Sequence, residues 1–175
     1  MGAQLEEADL SFAILEEADL TGAQLKGAKL RFSLLKDANL DSACLKKVDL
    51  TEARLDGARI ESIDLADENR VGPRLVDVRW NDVNLAVVHW ASIEMLGDEY
   101  KARQNKQDGE QKEKWARTMD YGIAARANRQ LSITLHAQGL NEDAARFAYR
   151  APSRAAGTKP LRASCSRRSV SVNPE

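Results

Sequence analysis

The sequence predicts a solenoid of short stacked repeats over residues 1–96, an α-helical segment over 97–151 and a disordered tail over 152–175. In the first part, branched aliphatic side chains recur every five residues. In the second part, apolar residues recur at the spacing of a helix instead. The last part consists largely of Ser, Arg, Ala and Pro, and such a composition offers no face that could form a core.

The repeat begins close to the first residue and continues without a gap for thirteen units. Its aliphatic positions are Leu5, Leu10, Leu15, Leu20, Leu25, Leu30, Leu35, Leu40, Leu45, Leu50, Leu55, Ile60 and Leu65. A helix has a period of 3.6 residues and a strand a period of 2, so neither keeps a period of five on one face. The chain must therefore turn a corner in every repeat, and we expect these side chains to form the core.

A small side chain precedes most of these aliphatic residues by two positions, as in Ala8-Asp9-Leu10 and Ala38-Asn39-Leu40. These units resemble the A(D/N)Lxx unit of the pentapeptide-repeat family. The resemblance implies a β-solenoid, specifically a right-handed quadrilateral β-helix in which four repeats make one coil. It also implies that the Leu and the small residue point inward while the other positions face water. Each coil would then bury its apolar layer against the next coil.

A coil of twenty residues allows the inward positions to be sorted into vertical ladders. Leu75 then lies above Leu55 and Leu85 above Leu65, but Arg70 would fall in the core above Leu50. An unpaired charge is costly there, and turn-forming residues surround Arg70, so we predict that residues 66–74 form a loop outside the coil. Larger inward residues after this loop, such as Trp80 and Trp90, predict a wider last coil that caps the tube.

The first repeat starts at Gly2 or Ala3, and we expect neither a helix nor a polar turn to cover the first coil. Solenoids normally carry caps at their ends. We expect either that two chains join at this end, or that the chain is an N-terminally shortened product.

Four apolar residues, Phe12, Ile14, Phe32 and Leu34, occupy equivalent outward positions in adjacent coils and form a candidate interaction patch. Two interpretations are open. A C-terminal helix of the same chain covers the patch, or the patch is an interface with another copy or another protein.

Charge limits the classes of partner. The net charge of −1 argues against a dedicated nucleic-acid binder, although residues 1–98 carry −8 and the tail +4. Some members of the pentapeptide-repeat family mimic DNA with a continuous acidic face and bind DNA gyrase. Here residues 1–20 carry −6 but residues 21–40 carry +3, so the acidic face is interrupted. Gyrase inhibition or protection therefore remains the alternative function.

No catalytic motif is present in the sequence. The two cysteines, Cys44 and Cys165, give neither a disulfide framework nor zinc-ligand spacing, and neither His89 nor His136 has a ligand neighbour. We expect no enzyme activity, no cofactor and no metal. No run of apolar residues is long enough to span a bilayer and no signal peptide is recognisable, so we expect a cytoplasmic protein.

The helical segment is patterned best over 121–138, where Ile123, Leu131 and Leu135 share one face. Gly139 is expected to end this helix and Asn141 to begin the next one. Residues 99–119 read as one interrupted helix or as two. Ala127-Asn128-Arg129-Gln130-Leu131 and the run from Gln138 to Arg150 resemble the segment that follows the repeats in certain bacterial pentapeptide-repeat proteins. The resemblance covers about residues 75–151, and it implies helices that lead into a channel-like membrane domain.

These features together predict a non-enzymatic scaffold for protein–protein interaction or regulation. It could be the soluble cytoplasmic part of a truncated channel-like membrane protein, because the helical pattern stops abruptly at Pro152. The expected partner is another protein or a second copy, bound through a face or an end of the β-helix.

Overall fold

The structure, a computed structural model, describes residues 2–107 and 109–150. The predicted tail and Cys165 lie outside the described residues.

Parallel backbone pairing between residues twenty positions apart builds the first part of the chain. Gln4 pairs with Gln24, Gln24 with Cys44, and Cys44 with Asp64, and the other three sides repeat this spacing. One coil therefore consists of four five-residue sides. We call residues 3–22 coil 1, residues 23–42 coil 2 and residues 43–62 coil 3.

Each corner is a β-turn whose third residue has a positive φ. The N–H of Ala8 donates to the Leu5 carbonyl at 3.2 Å, and the same bond recurs five residues later. Glycine suits the third position and occupies it at Gly22, Gly27 and Gly57. At other corners a non-glycine residue adopts the same positive φ, which is strained for a residue with a Cβ atom. Phe12, with a φ of 64°, is one of them.

The aliphatic ladder fills the tube. The side chains from Leu25 to Leu55 are almost completely buried, and Ile60 and Leu65 nearly so. At the other end, Leu5, Leu10 and Leu15 are only half-buried and Leu20 is 7% exposed. The core is therefore closed in coils 2 and 3 and open at coil 1.

The ladder prediction fails after Leu65, because the chain inserts five extra residues before it resumes the coil. Asp49 pairs with Arg74 and Arg54 with Arg79, so the spacing across the insertion is twenty-five residues. Leu75 consequently lies above Leu50, and the expected position above Leu55 is wrong. The ladder of Leu5 continues to Leu65 but not, by this register, to Leu85.

The predicted loop at 66–74 is outside the coil only in part. Its first half turns at Asp67, whose carboxylate accepts the N–H groups of Asn69 and Val71 at 2.9 and 2.8 Å. Arg70 is exposed there and avoids the core. Val71, Gly72 and Pro73 are buried, and Val71 pairs with Met95, so the second half rejoins the fold.

Helical elements follow the coils. Two 3₁₀ helices, Leu85–Val87 and Trp90–Ser92, precede α1 (Gly97–Arg103), the antiparallel strands β1 (Lys106–Gln107) and β2 (Glu110–Gln111), α2 (Lys114–Ala137) and α3 (Asn141–Arg150). Gly139 adopts a φ of +79° between α2 and α3, and the N–H of Leu140 donates to the Leu135 carbonyl. This geometry ends α2 where the sequence predicts.

The α2–α3 hairpin covers the far end of the β-helix. Leu131 and Leu135 of α2 and Phe147 of α3 belong to the same apolar core as the last coil. Trp90 packs edge-on against Phe147 with 6.0 Å between the ring centroids. The expectation that the last coil itself caps the tube is therefore wrong, since the hairpin closes it.

Candidate interaction surfaces

Coil 1 presents an unpaired backbone edge. The N–H groups of Gln24, Lys29, Leu34 and Asn39 donate to the carbonyls of Ala3, Ala8, Ala13 and Ala18 in coil 1 at 2.8–2.9 Å. The equivalent N–H groups within coil 1 belong to Gln4, Asp9, Ile14 and Asp19. Among residues 2–107 and 109–150, none accepts a hydrogen bond from these four groups. Such an edge is a template for pairing with another chain.

The open core lies directly beside this edge. Leu5, Leu10 and Leu15 belong to the aliphatic ladder, yet they are half-buried because no described coil lies below them. Unpaired backbone and accessible leucine therefore share one end of the molecule, which we call the open end.

The candidate patch adjoins the open end. Phe12 and Ile14 are 70% and 76% exposed, and Phe32 and Leu34 are half-buried. The rings of Phe12 and Phe32 stack in parallel with centroids 4.9 Å apart, and Ile14 pairs with Leu34 through the backbone. No described helix covers these residues, because α2 and α3 pack on the last coil. The interpretation that a C-terminal helix hides the patch is wrong for the helices that the structure describes.

Carboxylates surround the open end. Coil 1 contains six acidic residues and no basic residue: Glu6, Glu7, Asp9, Glu16, Glu17 and Asp19. Within the described chain, Asp9 alone among them has a cation within 4 Å, the Lys29 ammonium at 3.6 Å. The hydroxyl and N–H of Ser11, with a smaller effect of Lys29, lower the pKa of Asp9, and the corresponding groups of Thr21 lower the pKa of Asp19. These two carboxylates are therefore ionised at neutral pH.

Acidic residues of the later coils are mostly paired. Lys46 contacts Asp64 at 2.8 Å, Arg59 contacts Asp41 at 2.8 Å, and Arg74 binds Asp49. Exposed pairs of this kind contribute little to stability, about 0–1 kcal/mol each, but they neutralise the wall of the tube. Negative charge is thus concentrated at the open end.

The capped end has a different surface. The residues of α2 that face away from the core are Trp115, Met119, Arg126, Arg129 and Ile133, and they lie on one face of the helix. We call them the α2 stripe. All five are exposed, Trp115 to 66%. Asp120 is the one acidic residue between 114 and 137, and it is buried against Lys112 at 2.8 Å.

The α2 stripe is not among the predictions from sequence, which concern the face of the helix that carries Ile123, Leu131 and Leu135. The helical period carries the signal, since apolar and basic residues recur at 115, 119, 126 and 133 without an acidic one.

A groove of about 370 Å³ lies beside the inserted segment, between Lys47, Val71, Tyr100 and Lys101. Both lysines of the groove are paired with carboxylates: Lys47 contacts Asp67 at 3.4 Å, and Lys101 contacts Asp120 at 3.6 Å. These pairs leave neither lysine as a free charge for a ligand.

The residues singled out for possible chemistry lie apart. His89 and His136 are exposed on different elements, and Cys44 is a half-buried free thiol. Within residues 2–107 and 109–150, no group of three or more His, Cys, Asp or Glu side chains is arranged to hold a metal ion. None of the helices described is both long and apolar enough to cross a membrane.

Comparisons with known proteins give a family and related folds. The family described as pentapeptide repeats matches in eight copies over residues 3–40 and 33–67. Among curated proteins, none matches this chain.

Three solved structures of pentapeptide-repeat proteins are similar to parts of this chain. HetL of the cyanobacterium Nostoc sp. strain PCC 7120, involved in regulating heterocyst differentiation, is 24% identical with a TM-score of 0.36, covering 62% of this chain and 40% of HetL. Rfr23 of Cyanothece 51142 is 26% identical with a TM-score of 0.31, covering 39% and 56%. A thylakoid-lumen protein of Arabidopsis thaliana is 24% identical with a TM-score of 0.25, covering 62% and 76%. This chain therefore spans less than two thirds of HetL and of Rfr23.

Proposed function

Since this chain belongs to the pentapeptide-repeat family through residues 3–67, we propose that it is a non-enzymatic scaffold that binds a protein partner at its open end. The β-helix of the family is right-handed and quadrilateral, and we assign that form to this chain. Four corners then surround the open core, and a partner can contact all of them at once.

The unpaired edge of coil 1 carries the proposal. Four N–H groups and the half-buried Leu5, Leu10 and Leu15 are left at one end, while the α2–α3 hairpin closes the other. A partner strand or loop that pairs with this edge gains main-chain hydrogen bonds, and its apolar side chains bury the exposed leucines. The exposed Phe12 and Ile14 extend the same surface to the side.

Charge defines the partner's chemistry. The six carboxylates of coil 1 favour a partner with basic side chains around an apolar centre. Two open ends facing each other would oppose twelve carboxylates, so the surface disfavours a symmetric dimer through coil 1.

The gyrase alternative requires a continuous acidic face. Coil 1 supplies such a face over one layer, but Lys26, Lys29, Arg31 and Lys36 follow in coil 2. We expect no inhibition of gyrase supercoiling at stoichiometric concentrations of this protein. Inhibition at stoichiometric concentrations would favour gyrase binding over the scaffold function.

A labelled peptide with alternating lysine and leucine residues tests the scaffold proposal. Fluorescence anisotropy should detect binding to the full chain, and Ile14→Arg should weaken that binding by at least about tenfold. The substitution is compatible with the fold, because Arg54 and Arg79 occupy the equivalent positions above Ile14. Glu61→Lys, which changes an exposed acid outside coil 1, should bind normally. Equal binding by the Ile14 variant and the wild type would overturn the proposal.

A further inference from the structure

We propose that the open end of one chain binds the α2 stripe of a second copy, so that the chains associate head to tail. This inference rests on the proposed function, because it names the partner of the open end.

Both surfaces expose apolar side chains that could be buried against each other. The open end exposes Phe12 and Ile14 beside half-buried leucines. The α2 stripe exposes Trp115, Met119 and Ile133, whose side chains have no covering element among the described residues. Aromatic residues and Met are enriched in protein interfaces, and their contact would remove apolar area from water on both copies.

The charges are opposite. Coil 1 carries six acidic residues and no basic one, whereas α2 carries Lys114, Arg117, Arg126 and Arg129 against one buried Asp120. On the α2 stripe, Arg126 contacts Asp77 at 2.7 Å, whereas no described carboxylate lies within 4 Å of Arg129. Lys114 and Arg117 lie on other sides of the helix, so Arg129 is the stripe cation that is available to the carboxylates of another copy.

The positions of the surfaces decide the symmetry. Coil 1 begins the β-helix, and α2 packs on its last coil. Because the two surfaces differ and lie at opposite ends, the contact is heterologous, and each added copy leaves one open end and one stripe free. We therefore expect assemblies of variable length rather than a closed symmetric dimer.

Sedimentation velocity of the full chain tests this inference. At about 0.1 M salt the average mass should rise with protein concentration beyond that of a dimer, and at about 1 M salt it should fall toward the monomer, because exposed charges are then screened. A wild type that stays monomeric at both salt concentrations would overturn the inference. If the lysine–leucine peptide still bound at the open end, the proposed function would stand, and loss of both results would remove both proposals.

Two surface variants make the test specific. Glu6→Lys with Glu7→Lys removes charge at the open end and suits the fold, since Lys46 and Lys47 occupy the equivalent corner of coil 3. Arg129→Glu with Ile133→Ser alters the stripe. Each double variant should lose self-association by at least about tenfold. Glu61→Lys and Lys106→Glu are the matched controls, and both should associate like the wild type.

Mixing the two double variants distinguishes a head-to-tail contact from a symmetric one. Each variant keeps one intact surface, so the mixture should form a one-to-one dimer that grows no further. Absence of this dimer, or undiminished assembly of either variant alone, would overturn the inference.

Two other binding partners, one for the α2 stripe and one for the open end, are each tested by a separate measurement. The stripe could face an anionic lipid surface, in which case vesicles of phosphatidylserine and phosphatidylcholine would bind the wild type without any self-association. The basic residues beyond 151 could occupy the open end, in which case Arg162→Ser with Arg167→Ser and Arg168→Ser would tighten peptide binding by a monomeric chain. Either result would overturn the inference.

Discussion

Asp77 and Gln130 bind each other twice, although they lie far apart in sequence. The N–H of Asp77 donates to Oε1 of Gln130 at 3.0 Å, and Nε2 of Gln130 donates to the Asp77 carboxylate at 2.7 Å. Gln138 makes a similar pair of bonds to the backbone of Leu85 and Val83 at 2.9 and 2.8 Å. Gln130 of α2 and Gln138, the residue that follows α2, thus hold the cap to the last coil of the β-helix.

Removal of the Gln130 amide should loosen the cap. Gln130→Ala leaves the N–H of Asp77 without its acceptor, and we expect a loss of about 1–3 kcal/mol in the free energy of unfolding. Urea unfolding measures this loss, with Gln104→Ala, at an exposed position, as the control. A loss no larger than that of the control would contradict the role of Gln130.

The two ends of the core should respond differently to the same substitution. Leu35→Ala empties a fully buried position and should cost about 2–5 kcal/mol. Leu15→Ala, directly below in the same ladder, should cost clearly less because Leu15 is half-buried. Thermal unfolding of both variants measures the difference, and equal losses would mean that coil 1 is covered.

Asp98 should make stability depend on pH. Its side chain is buried at the start of α1, and this burial raises its pKa from 3.8 to about 6, against the opposing effects of the Leu75 N–H at 2.7 Å and of Arg74. Both the folded and the unfolded chain hold the proton below pH 3.8. As the pH rises toward about 6, the unfolded chain ionises first, so stability is lost across this window and stays constant above it.

Asp98→Asn removes that titration and keeps an oxygen that can accept the Leu75 N–H. Relative to the wild type, the variant should gain about 2 kcal/mol between pH 4 and pH 7, since each pKa unit is worth about 1.4 kcal/mol and the unfolded carboxyl is already partly ionised at pH 4. Urea unfolding at several pH values measures the difference. A difference between the two proteins that does not change with pH would contradict the raised pKa of Asp98.

The ladder is predictable from the sequence up to Leu65, because each five-residue unit places an aliphatic residue and a small residue at the same two inward positions. The insertion after Leu65 adds five residues, a whole repeat, and leaves the period of five intact at Leu75, so counting alone cannot detect the shift from twenty to twenty-five. The burial of Val71, Gly72 and Pro73 is likewise hidden, because their turn-forming neighbours indicate a loop.

The candidate surfaces are likewise predictable only in part. The twenty-residue coil places together Phe12, Ile14, Phe32 and Leu34, but the exposure of these side chains depends on where α2 and α3 pack. That placement depends on Gln130 and Gln138, whose partners are set by the tertiary fold. Helical period alone identifies the faces of α2 but not which of them meets the β-helix.

Amide hydrogen exchange tests the open end most directly. In dilute protein at about 1 M salt, where association is screened, the N–H groups of Gln4, Asp9, Ile14 and Asp19 should exchange rapidly. Those of Gln24, Lys29, Leu34 and Asn39, one coil above, should be protected because each donates to a coil 1 carbonyl. Equal protection in the two coils would show that coil 1 is covered and would contradict the account.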